Sequence, residues 1–119
     1  MSLTGKSLLA GQPGATGGAI FRAINPATGE ALAPDFHEAS LAEVDAALNA
    51  AAIAFEDYRG RPAETRAKLL ETIASEIEAL GDALLQRANA ETGLPLARLT
   101  GERARTCGQL RLFAAVVRD

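Results

Sequence analysis

Cys107 is the only thiol in this 119-residue chain. A thiolate is a strong nucleophile, but it needs a positive setting and a base within reach. Arg103, Arg105 and Arg111 are near it in sequence, while no histidine is. It lies inside an apolar helical pattern, which reads as a structural thiol. His37 is the only histidine, with Asp35 and Glu38 beside it. One imidazole and two carboxylates do not define a metal ligand set. The stretch reads instead as a surface loop ahead of a helix. Gly5-Lys6-Ser7 echoes the end of a phosphate-binding loop. That motif needs an earlier glycine and an upstream strand, and the chain starts too late for either.

Glu71, Glu76, Glu78 and Glu91 fall on helical patterns, mostly on polar faces. Acid–base work by paired carboxylates needs them to converge, and nothing in their spacing enforces that. Arg98, Arg103, Arg105, Arg111 and Arg118 spread around the last helix and read mostly as ordinary surface. The glycines between 11 and 18 do not spell a dinucleotide-binding loop, and no helix follows them directly. The residues therefore assign no catalytic, cofactor-binding or metal site.

The elements around these residues are easier to read. Ser7–Ala10 is expected to form a short strand. Glycine-rich chain follows and then a strand over Ile20–Ile24. Asn25-Pro26-Ala27-Thr28-Gly29-Glu30 makes a turn in which Asn25 bonds the backbone just ahead and Gly29 takes a left-handed conformation. Ala31–Ala33 leaves it as a second strand, stopped by Pro34. Ser40-Leu41-Ala42-Glu43 is a capping box. It opens a helix from Leu41 to Tyr58, with Leu41, Val44, Leu48, Ala51, Phe55 and Tyr58 at helical spacing and Gly60 as the C′ residue.

Pro62 sits at the first position of a second helix. Its apolar stripe is Leu69, Ile73, Ile77, Leu80 and Leu84, and Glu64 and Lys68 form an i,i+4 pair. A break is expected at Gly81-Asp82, and Thr92-Gly93-Leu94-Pro95 ends that segment. The last helix opens at Pro95 with Leu99, Thr106, Leu110, Phe113 and Val117 on one face. Arg103 falls on the same stripe and must be paired, by Glu102 or by a group outside the chain. The apolar pattern runs to Asp119 without a cap, which reads as truncation.

Composition narrows the function classes. Net charge is −3, from 12 basic and 15 acidic residues, which favours neither nucleic acid nor an anionic membrane as partner. No apolar run approaches the ~20 residues of a membrane span. The N-terminus lacks the pattern of a signal peptide, and one cysteine forms no internal disulfide. The chain reads as cytoplasmic. With 26 alanines, no tryptophan and one tyrosine, close helix packing is expected rather than a roomy ligand pocket.

Several of these stretches resemble the N-terminal segment of the NAD(P)-dependent aldehyde dehydrogenase superfamily. They are the Asn25–Glu30 turn, Glu43-Val44-Asp45-Ala46-Ala47 with Ala54-Phe55, and Glu91-Thr92-Gly93-Leu94-Pro95. The stretch Gly101–Ala114 is similar to the branch that oxidises 2,5-dioxopentanoate, the semialdehyde of α-ketoglutarate, to 2-oxoglutarate. The resemblance implies an α/β parent fold, of which this segment is the mainly α-helical part with an N-terminal β-arm. Residues 1–39 would be the arm and loop, and residues 40–119 an incomplete helical part of the cofactor-binding domain.

The resemblance further implies a cysteine nucleophile, an oxyanion hole, a glutamate that activates water and a bound NAD or NADP. All lie beyond position 119 in the family, so Cys107 matches a helix position and not the nucleophile. In some members a monovalent cation is held near the residues matching Ile24 and Glu91. The segment's role would be structural, its partners the remainder of the polypeptide and, for a homo-oligomeric parent, further copies. A small aldehyde would be the parent's substrate. Apolar helix faces are expected to lie uncovered, with self-association of the isolated chain. The alternative from another class is a stand-alone helical interaction or scaffold module without catalysis.

Overall fold

The computed structural model describes residues 3–119. The chain divides into two compact units. The arm unit holds residues 3–24 and Glu30–Gly60, and the helical unit holds Asn25–Gly29 and Arg61–Asp119.

In the arm unit, β1 (Leu8–Leu9) pairs antiparallel with β2 (Gln12–Pro13). Gly11 at the tip has φ +78°. The longer ribbon joins β3 (Ile20–Ile24) and β4 (Ala31–His37), also antiparallel. Here the sequence expectation falls short: β4 does not stop at Pro34 but runs on to His37. Phe21 pairs with Phe36 and Ala23 with Leu32, so the register shifts around Arg22. Ala33, Pro34 and Asp35 form a bulge opposite it, where proline's missing N–H breaks no ladder bond. The Ala33–Pro34 peptide is cis. Past the bulge the Phe21 and Phe36 rings stack with centroids 5.6 Å apart.

Helix α1 (Leu41–Tyr58) has the expected bounds and the complete capping box. The Glu43 amide donates to Ser40 Oγ at 3.2 Å, and the Ser40 amide donates to Glu43 Oε2 at 2.9 Å. Gly60 follows the Arg59 cap but does not adopt a left-handed φ. No residue of α1 is buried. Its apolar stripe, Leu41, Val44, Leu48, Phe55 and Tyr58, is exposed.

In the helical unit, the Asn25–Gly29 turn forms as expected. The Ala27 amide donates to Asn25 Oδ1 at 2.9 Å and the Gly29 amide to the Asn25 carbonyl at 2.8 Å. Helix α2 (Ala63–Ala79) takes Pro62 as its N-cap, one position earlier than the first-turn placement expected. Helix α3 (Gly81–Thr92) starts at the anticipated break, where Gly81 has φ +58°. It ends at Gly93, whose φ of +71° makes the left-handed cap. Pro26 Cγ lies 3.2 Å from where a Gly93 Cβ would stand. Helix α4 (Leu96–Arg118) follows, with Pro95 as N-cap.

The core of this unit takes in Leu99 of the apolar face read for α4. Its buried residues are Ala67, Ala74, Leu85, Leu99, Cys107 and Ala114. Ala67 and Ala74, two turns apart on α2, share a face, as do Cys107 and Ala114 on α4. Small side chains let α2 and α4 approach closely. Leu69, Ile73 and Leu80 of the expected stripe remain exposed. Cross-helix bonds tie Glu64 to Arg118, Glu78 to Arg111 and Ala74 to Cys107. Positions rise on α2 as they fall on α4, so the two helices run antiparallel.

Candidate functional site

Cys107 sits on the buried face of α4 and is 1% exposed. Its Sγ donates to the Ala74 carbonyl at 3.5 Å. A buried thiol facing a carbonyl and apolar neighbours has neither the base nor the access that a nucleophile requires.

His37 is the last residue of β4, half-buried, and not the surface-loop residue expected. Its amide donates to the Gly5 carbonyl at 2.9 Å. Asp35, its neighbour, is bound by Arg22 Nε. That contact holds the Asp35 carboxyl below its ordinary range. Among the described residues, no three of the His, Cys, Asp and Glu side chains come together as a metal site.

Gly5-Lys6-Ser7 has a structural explanation the sequence did not reveal. Gly5 is buried, with φ +67°, and a Cβ there would stand 1.8 Å from the Asp35 carbonyl oxygen. The glycine lets this segment's backbone lie directly against β4. Ile24, which ends β3 in the arm unit, is exposed. Glu91 lies on α3 in the helical unit, where Arg87 Nε donates to its Oε1 at 2.5 Å.

The remaining carboxylates and arginines are more organised than a solvated surface. Arg111 makes a bidentate pair with Glu78, at 2.8 and 2.6 Å. Arg118 donates to both carboxylates of Glu64 and Glu71 through four bonds of 2.6 to 3.0 Å. The guanidinium bonds hold the Glu64, Glu71 and Glu78 carboxyls below their ordinary range, and they raise both arginines. Glu64 is thus held chiefly by Arg118, with Lys68 adding a weaker attraction.

Arg103 does not pair with Glu102. Its Nη1 donates at 2.9 Å to the carbonyl of Gly81, at the junction of α2 and α3. Glu102 instead accepts from Arg98 Nε at 2.9 Å. These pairings tie α4 to α2 and to the start of α3.

Two open grooves cross the helical unit. One of about 380 Å³ is lined by Ile77, Leu80, Leu84, Leu85, Ala88 and Leu99, with Glu102, Arg103 and Thr106. The other, about 440 Å³, is lined by Leu70, Arg105, Thr106, Gln109, Leu110 and Phe113. Both are mostly apolar, and Cys107 lines neither. A smaller hollow in the arm unit, about 280 Å³, is bordered by Ala15, Gly17, Gly18, Glu38, Ser40 and Glu43. There the Glu43 carboxylate is engaged by Ser40 and by the Ala15 amide at 2.8 Å, which lowers its pKa.

A nicotinamide dinucleotide does not fit the residues present. Its pyrophosphate calls for a glycine-rich turn running into a helix N-terminus. Pro62 and Pro95 precede α2 and α4, and the N-terminus of α1 already carries the Glu43 carboxylate.

Comparison with known proteins gives the segment a family. Over all of its length the chain is 54% identical to alpha-ketoglutaric semialdehyde dehydrogenase 2 of Azospirillum brasilense, of which it covers 23%. It is 43% identical to the alpha-ketoglutaric semialdehyde dehydrogenase of Acinetobacter baylyi, with 96% of this chain and 22% of that protein aligned. The chain thus spans about a quarter of the length of these relatives. An NAD-dependent benzaldehyde dehydrogenase from Corynebacterium glutamicum superposes with a TM-score of 0.86 at 25% identity, covering 94% of this chain and 24% of the other. The model of the aldehyde dehydrogenase family matches residues 14–119. The chain therefore belongs to the aldehyde dehydrogenase family.

Proposed function

We propose that this chain is the N-terminal framework segment of an enzyme that oxidises 2,5-dioxopentanoate to 2-oxoglutarate with NAD or NADP. The observation that carries the reading is the 54% identity to a semialdehyde dehydrogenase along the entire chain. The net reaction takes a hydride from the aldehyde carbon to the nicotinamide. Water supplies the second carboxylate oxygen, and its protons leave to solvent. Residues of this chain take no part in those transfers. The α2–α4 pairing gives the rest of the enzyme a fixed surface to build on.

In this reading residues 1–39, of which 1 and 2 lie outside the described residues, belong to the arm and residues 40–119 to the helical part of the cofactor-binding domain. No catalytic, cofactor-binding or metal residue is assigned among them. The parent is a cytoplasmic homo-oligomer, and its other partners are the rest of its own polypeptide and the aldehyde. Among the described residues no helix is long and apolar enough to cross a membrane.

The test is the natural polypeptide itself. Its intact mass should be about four times that of this chain, in line with the share of the relatives covered. Purified, it should reduce NAD or NADP with 2,5-dioxopentanoate. A natural product that ends at Asp119 and folds as a stable monomer would overturn the proposal in favour of a helical scaffold module.

A further inference from the structure

We draw no further inference here: the strongest candidate, the apolar groove of the helical unit lined by Ile77, Leu80, Leu84 and Leu99, carries nothing because nothing in the structure shows what covers it.

Discussion

Arg103 reaches from α4 to donate a hydrogen bond to the Gly81 carbonyl, 2.9 Å away, where α2 gives way to α3. The bond gives the first carbonyl of α3 a charged donor from α4 and so ties the two helices together. Arg103→Ala should therefore lower stability by about 1.5–3 kcal/mol, the loss of a hydrogen bond from a charged donor in a partly buried place. Chemical denaturation of the two proteins measures it. Unchanged stability would show that water replaces the arginine fully.

The Arg118 and Arg111 pairings make the helical unit sensitive to acid. Glu64, Glu71 and Glu78 have folded-state pKa values below their ordinary 4.5. A lowered carboxyl contributes stability that is fully present above its unfolded pKa. That contribution is lost as pH falls through the folded value. Arg118 and Arg111 are shifted upward from a value already far above neutrality, so they stay charged throughout. Thermal midpoints should fall below about pH 4.5 and continue falling. Arg118→Gln should flatten that dependence, and added salt should weaken it because the pairs face solvent. A variant with the same acid slope as the parent would contradict the assignment.

Two glycines of the arm unit, both with positive φ, should respond differently to alanine. Gly5 would place a Cβ 1.8 Å from the Asp35 carbonyl, whereas Gly11 has nothing within 4 Å. Gly11→Ala should cost about 1–3 kcal/mol from backbone strain alone. Gly5→Ala should cost more and release the Gly5–His37 bond, so the His37 amide should exchange faster with solvent. Equal effects would mean the close approach to β4 is unimportant.

Cys107 should be inert while the chain is folded. Thiol-reactive dye should label it only after denaturant is added, because the thiol is 1% exposed. Introduced into the natural polypeptide, Cys107→Ala should leave turnover within a few-fold of the parent. Loss of the covalent intermediate in that variant would make Cys107 the nucleophile.

Exposed apolar side chains have a measurable consequence too. Leu41, Leu48, Ile53 and Phe55 of α1 all lie open to solvent. Faces of this kind drive association. Light scattering on the isolated chain should give a mass that rises with concentration. A constant monomer mass would count against uncovered faces.

Local chemistry was the legible part of this sequence. Ser40 and Glu43 announce a capping box, and Gly81 and Gly93 mark helix ends, because each acts on atoms a few residues away. Pro34 misled because a bulge can absorb a proline, and no local signal places that bulge opposite Arg22. The stripe on α2 was read correctly as apolar, and its Leu69, Ile73 and Leu80 stay exposed. Periodicity says which residues share a face, not which face meets a partner. Here Ala67 and Ala74 meet α4 instead. The Arg111–Glu78 and Arg118–Glu64 pairs span 33 and 54 residues, beyond the reach of a helical repeat. The phosphate-loop echo at Gly5 could be set aside from sequence, but the need for glycine there shows only with β4 beside it. For the candidate site, the bland reading of Cys107 followed from its helical pattern and the lack of a nearby base.

In the proposed function these residues shape a dehydrogenase without doing its chemistry. The most direct measurement is nicotinamide reduction by purified chain ending at Asp119. It should be made on a sample whose circular dichroism confirms helix, with 2,5-dioxopentanoate and either dinucleotide. No reduction above the protein-free rate is expected, while turnover by the same helical sample would contradict the claim.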